Sequence, residues 1–167
     1  MDINILNSGT PDSKNWLNIV CNSITTNDLI LDYDIFNINF TGQSPLTANL
    51  TNPCDTTAID SPNMDLATNV YTSEDNINLF VSLQLSLYYP AAITAFSTSV
   101  SINVNGIPSY LTTGTQNAGA SVQGRYALTC TGVLSLSVGD TVSLSIISTG
   151  SVAGINYGNV SFSGYVI

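Results

Sequence analysis

Between Ile77 and Leu87 every second residue is aliphatic: Ile77, Leu79, Val81, Leu83, Leu85 and Leu87 alternate with Asn78, Phe80, Ser82, Gln84 and Ser86. Successive side chains of a strand point to opposite faces, so this period of two describes a strand with one face on a core. A helix would scatter the same residues around its circumference. Five more segments repeat the pattern: Phe36–Phe40, Val100–Val104, Leu134–Val138, Val142–Ile146 and Val160–Ile167. Serine, threonine and asparagine occupy most of the alternate positions, which reads as a face turned to solvent or to a partner. Asn105-Gly106, between Val104 and Ile107, is a strong two-residue hairpin signal because both residues tolerate positive φ. Gly139-Asp140 sits between two alternating runs and reads the same way. Thr113–Gly124 and Asn52–Asp65 read as long loops, and Gly150–Gly154 as a turn between the last two strands. No helical window survives: the best, Ser13–Cys21, is broken by Asn15 and Asn18. Strands at short, even spacing predict an all-β sandwich or jelly roll over residues 34–167, preceded by a short extended N-terminal arm at 1–33.

Composition then narrows function. The 167 residues include two Lys plus Arg, eleven Asp plus Glu and no His, for a formal charge of −9. Binding nucleic acid by phosphate neutralisation needs clustered cations, so no nucleic-acid partner is expected. Nothing approaches the roughly 18 apolar residues of a membrane helix, so no membrane insertion is expected. The N-terminus lacks a basic, then apolar, leader, which suggests synthesis and assembly inside a cell. The three cysteines, Cys21, Cys54 and Cys130, fit no zinc spacing and read as small buried hydrophobes. The sequons at Asn39, Asn49 and Asn159 are expected by chance in a chain so rich in Asn, Ser and Thr.

Candidate chemistry is sparse. Without histidine, no serine has its commonest activating base, and none sits in Gly-x-Ser-x-Gly. Asp32 and Asp34 share a strand face, and Asp55, Asp60 and Asp65 share one segment. Paired carboxylates could serve glycoside hydrolysis or calcium, but no EF-hand spacing is present and solvated acidic loops are the simpler reading. The expectation is therefore no enzyme, no catalytic residue, no metal and no cofactor.

The carboxy-terminal half carries a family resemblance. Leu134-Ser-Leu-Ser-Val-Gly139-Asp140-Thr141-Val142-Ser-Leu144 resembles the penultimate Gly-Asp turn and Val-x-Leu strand of C1q/TNF-like heads. Val160-Ser-Phe162-Ser-Gly164-Tyr165-Val166-Ile167 is similar to their final strand, and Val100–Gly106 to the central strand that carries Asn-Gly. The first long strand departs from the family's Gly-x-Tyr-x-Phe, carrying Asn76-Ile77-Asn78-Leu79-Phe80 instead. The resemblance covers roughly residues 66–167. It implies a jelly-roll head that forms a homotrimer, of the kind carried on stalks and fibres.

Strand parity places Phe80, Ser82, Gln84, Tyr88 and Tyr165 opposite the core row, and these five are the expected trimer interface. Two function classes follow. One is a non-enzymatic structural or attachment head, built into a virion or a bacterial surface fibre, whose partners are its own copies, other virion or fibre proteins, or a cell-surface glycan or receptor. The other is a carbohydrate-binding module on the same sandwich.

Overall fold

The computed structural model describes residues 36–59, 61–90, 94–116 and 123–167. The proposed arm at 1–33 therefore lies outside the described residues, as do Cys21, Asp32, Asp34 and Asp60. The strands, in chain order, are β1 (Phe36–Phe40), β2 (Ser44–Pro45), β3 (Asn49–Leu50), β4 (Thr56–Ile59), β5 (Met64–Asp65) and β6 (Val70–Thr72), followed by β7 (Ile77–Tyr89), β8 (Phe96–Val104), β9 (Ile107–Gln116), β10 (Gly124–Leu136), β11 (Thr141–Gly150) and β12 (Asn156–Val166). They form two antiparallel sheets. One runs β10-β7-β12-β1-β4, with β2 added to β12; the other runs β5-β6-β11-β8-β9, with β3 added to β11.

The sheets enclose one core, and the alternating runs supply it. Leu79, Val81, Leu83, Leu85 and Leu87 of β7 are fully buried, as are Ile38, Phe162 and, from the opposite sheet, Val100, Ile102 and Val142. β7 is central, paired with β10 on one side and β12 on the other. Phe36 stacks on Tyr71 at 5.2 Å across the two sheets and meets Phe162 in a tilted contact at 5.0 Å. Gly164 stands opposite Phe36 in the ladder, and a Cβ there would run into the ring. The final strand thus needs a glycine where the core needs a large ring.

The Asn105-Gly106 hairpin forms as expected, joining β8 to β9 with Val104 opposite Ile107 and positive φ at both turn residues. Gly139-Asp140 does not make a hairpin. It carries the chain from β10 in one sheet to β11 in the other, because Leu134–Leu136 and Val142–Ile146 bury their apolar rows in the same core from opposite sides. The two turns clasp each other. Asn105 Nδ2 donates to Asp140 Oδ1 at 2.8 Å, Thr141 N–H donates to Asn105 Oδ1 at 2.9 Å, and Ser137 N–H donates to Asp140 Oδ2 at 2.8 Å. These donors hold the Asp140 carboxyl below the usual carboxylate range, the Asn105 amide being the larger cause.

Two expected loops contain strands. Thr113–Gln116 continues β9, and Asn52–Asp65 holds β4, which pairs with β1, and β5, which pairs with β6. Polar residues concealed the end of β9, exposed side chains concealed β4, and the two residues of β5 are too few to show a period. Asn69 stabilises this region. Buried, with φ of 54°, it accepts from Cys54 N–H at 2.9 Å and donates to Cys54 C=O at 3.0 Å and Leu66 C=O at 2.6 Å. Its carboxamide stands in for a missing rung of backbone ladder.

The open side of the sandwich, between edge strands β9 and β10, is laced by side chains. Tyr110 Oη donates to Val133 C=O at 2.6 Å and accepts from Val133 N–H at 3.2 Å, and Thr112 Oγ1 donates to Thr129 C=O at 2.9 Å. Exposed ladder groups on an edge are a template for unwanted pairing, and these hydroxyls occupy them.

Two outcomes test this account. Asn69→Ala leaves the Cys54 amide and carbonyl buried without that partner, and is expected to cost about 1–3 kcal/mol in chemical denaturation. Asp140→Asn is expected to lower Tm at neutral pH. A carboxyl with a depressed folded pKa stabilises above its unfolded pKa and loses that contribution as pH falls through the folded value. The Tm gap between wild type and variant should therefore close on acidification through and below the carboxylate range.

Candidate functional site

The described carboxylates are Asp55, Asp65, Glu74, Asp75 and Asp140, of which Glu74 and Asp75 are adjacent between β6 and β7. Asp65 accepts from Thr68 Oγ1 at 2.7 Å and from Ala67 N–H at 2.9 Å, which lowers its pKa, and Asp140 closes the clasp. Among the described residues no group of three His, Cys, Asp or Glu side chains could hold a metal ion. Cys54 and Cys130 are buried free thiols, and burial, followed by the nearby Asp55 charge, pushes Cys54 up to about 12. A thiol so far above neutral pH is not a nucleophile.

The broadest candidate surface is the outer face of the β10-β7-β12-β1-β4 sheet. All five residues singled out by parity lie on it. Phe80 and Tyr165 are direct neighbours in the β7–β12 ladder, their ring centroids 5.0 Å apart. Val133 of β10 stands on the other side of Phe80. Val133 and Tyr165 are 45% and 46% exposed, and Ile167, beyond the end of β12, is 61% exposed. These residues make an apolar band across one end of the face. The middle is uncharged and polar: Thr131, Ser82 and Ser163 form one cross-strand row, and Thr129, Gln84 and Ser161 the next.

Tyr88 does not join the Phe80 band. Eight residues further along β7, at about 3.3 Å per residue, it sits roughly 26 Å away at the opposite end of the face. There the register sets Arg125 of β10 and Asn156 of β12 on its two sides. Sequence parity could find Tyr88 but not those neighbours, since neither belongs to an alternating apolar run. The face is thus an apolar end, a hydroxyl-rich middle and a polar aromatic end.

No family model matches the chain, and no curated protein matches it by sequence. Among solved structures, the globular domain of zebrafish complement 1qA protein superposes with a TM-score of 0.56 at 14% identity. The match covers 80% of this chain and 96% of that one. This chain has a C1q-like jelly-roll fold. The likeness is one of architecture, two antiparallel sheets around a shared core. The resemblance drawn from the closing strand and the Gly-Asp turn therefore pointed to the right fold, even though that turn joins sheets rather than neighbouring strands.

Proposed function

We propose that this chain is a non-enzymatic structural or attachment protein, a C1q-like head that trimerises through the outer face of the β10-β7-β12-β1-β4 sheet and serves as a component of a virion. A bacterial surface fibre is the corresponding cellular setting. The observation that carries the reading is the Val133–Phe80–Tyr165 band with Ile167 beside it, exposed at the end of a face on which Arg125 is the one charge among the described residues. Burying a Phe side chain contributes roughly 1.5–3 kcal/mol, and threefold symmetry repeats each contact. Small Ser and Thr side chains in the middle rows allow backbones to approach closely. Residues 1–33 would then tether the head to its particle, and their Trp16, Leu17, Ile19 and Val20 cluster supplies apolar surface for that contact. A second reading, a carbohydrate-binding module on the same sandwich, is favoured by a tyrosine-lined cleft at the Tyr88 end of the face.

Phe80→Asp places a charge in the middle of the band, and Ser82→Asp places one in the adjoining row. Each is expected to reduce the sedimenting mass to that of a monomer while the far-ultraviolet β signal stays intact. A Phe80→Asp variant with wild-type mass and melting would remove this face as the interface. Mass spectrometry of purified particles from the source organism tests the virion setting, with the chain expected among their proteins.

A further inference from the structure

The cleft at the Tyr88 end has a volume of about 430 Å³ and is lined chiefly by Tyr88, Tyr89, Arg125, Asn156, Gln43 and Gln123. Small-molecule sites run from roughly 300 to 1,000 Å³, so it can hold a ligand of one or two rings. Its chemistry is unusual for this chain. Of the two cations in the sequence, Lys14 lies outside the described residues, leaving Arg125 as the one cation among them. Among the described residues that line the cleft none is a carboxylate, so Arg125 meets no counter-charge among them.

Three adjacent strands build the floor. In the ladder Tyr88 stands between Arg125 on one side and Asn156 on the other, so a guanidinium, a phenol ring and a carboxamide form a single cross-strand row. A bulge between Tyr157 and Val160 interrupts the β7–β12 register just beyond Asn156. Gly158 lies in that bulge, and a Cβ there would overlap the Tyr88 ring, so the ring rests directly on the bulged backbone. A second glycine, Gly124, makes the same allowance for Tyr89, whose hydroxyl end would collide with a Cβ at that position.

Each component matches part of one ligand class. The half-buried Tyr88 ring offers an apolar face for the C–H side of a sugar ring. Asn156, Gln43 and Gln123 each carry a paired amide donor and acceptor, which suits neighbouring hydroxyls. The Arg125 guanidinium presents a planar fork of donors that fits a carboxylate through two parallel hydrogen bonds. A purely apolar ligand would leave these amides and the guanidinium unsatisfied. We propose that this cleft binds a sugar bearing a carboxylate, of the sialic or uronic acid class, with Arg125 on the carboxylate and Tyr88 under the ring. The proposal rests on the carbohydrate-binding reading of the cleft. It takes Tyr88 out of the expected trimer interface and leaves the contact between copies to the Val133–Phe80–Tyr165 end of the face, eight residues away along β7.

The test is calorimetric or NMR titration of the full chain with 3′-sialyllactose, a methyl glucuronoside and lactose. At least one acidic sugar is expected to bind, and lactose about tenfold or more weaker, in line with the strength of hydrogen bonds to charged groups. Arg125→Gln, at an exposed position, should retain the wild-type melting curve and lose that preference. The methyl ester of the binding sugar, titrated into the wild-type chain, should bind as weakly as lactose, which tests the charge contact without altering the protein. Affinity should also fall with added salt, since the contact lies at the surface. Equal binding of lactose and the acidic sugars would overturn the assignment to acidic sugars while leaving a carbohydrate site. No binding of any of them up to roughly 10 mM, where the binding free energy is about 2.7 kcal/mol, would overturn both.

Discussion

The rest of the molecule depends on the inward row of β7. Leu79 to Leu87 are buried between two flanking strands and face the opposite sheet, so the ladder on each side is fixed by the need to keep five aliphatic side chains out of water. A slip of one residue would turn that row outward and bring Phe80, Ser82 and Gln84 into the core. The same constraint therefore sets the content of the outer face. Phe80 lies beside Tyr165 and Val133, and Tyr88 beside Arg125 and Asn156, because the core register leaves them nowhere else to go.

Scarcity of charge shapes how the remaining structure is held. With 8% charged residues, the chain relies on hydroxyls and amides where other proteins use ion pairs. Asn105 and Asp140 join two turns, Asn69 joins two connecting segments, Tyr110 and Thr112 close the edge between the sheets, and Thr98 and Ser148 bond at 2.9 Å within the buried face of β8 and β11. Such a network leaves the outer face of the β10-β7-β12-β1-β4 sheet nearly free of charge, Arg125 being the exception among its described residues. Its apolar band is unfavourable to leave in water and, with no charge beside it, inexpensive to bury against a copy of itself, which is the physical basis for proposing self-association there. The one described cation stands apart, at the end where a cleft opens.

Much of this was legible in the sequence, and the boundary has a physical cause. The strands of the core appeared as period-two runs because their two faces meet different environments. Asn105-Gly106 was legible because positive φ restricts residue type. Parity along β7 and β12 placed the five candidate interface residues on one face. The path of the Gly139-Asp140 connection was not legible: it looks alike whether it reverses a strand within a sheet or carries it across the sandwich. Edge strand β4 was hidden because its described side chains are exposed, and β5 because two residues are too short to show a period. The Arg125–Tyr88–Asn156 row was hidden for another reason, since its members lie at least 31 residues apart in sequence and only the ladder brings them together.

The central claim is that the outer face of the β10-β7-β12-β1-β4 sheet is a contact between copies of this chain. The most direct measurement is the absolute mass of the full chain by multi-angle light scattering across a dilution series in the micromolar range. The account predicts a mass of three times 17.6 kDa that persists on dilution. A constant mass of 17.6 kDa throughout the series would contradict it.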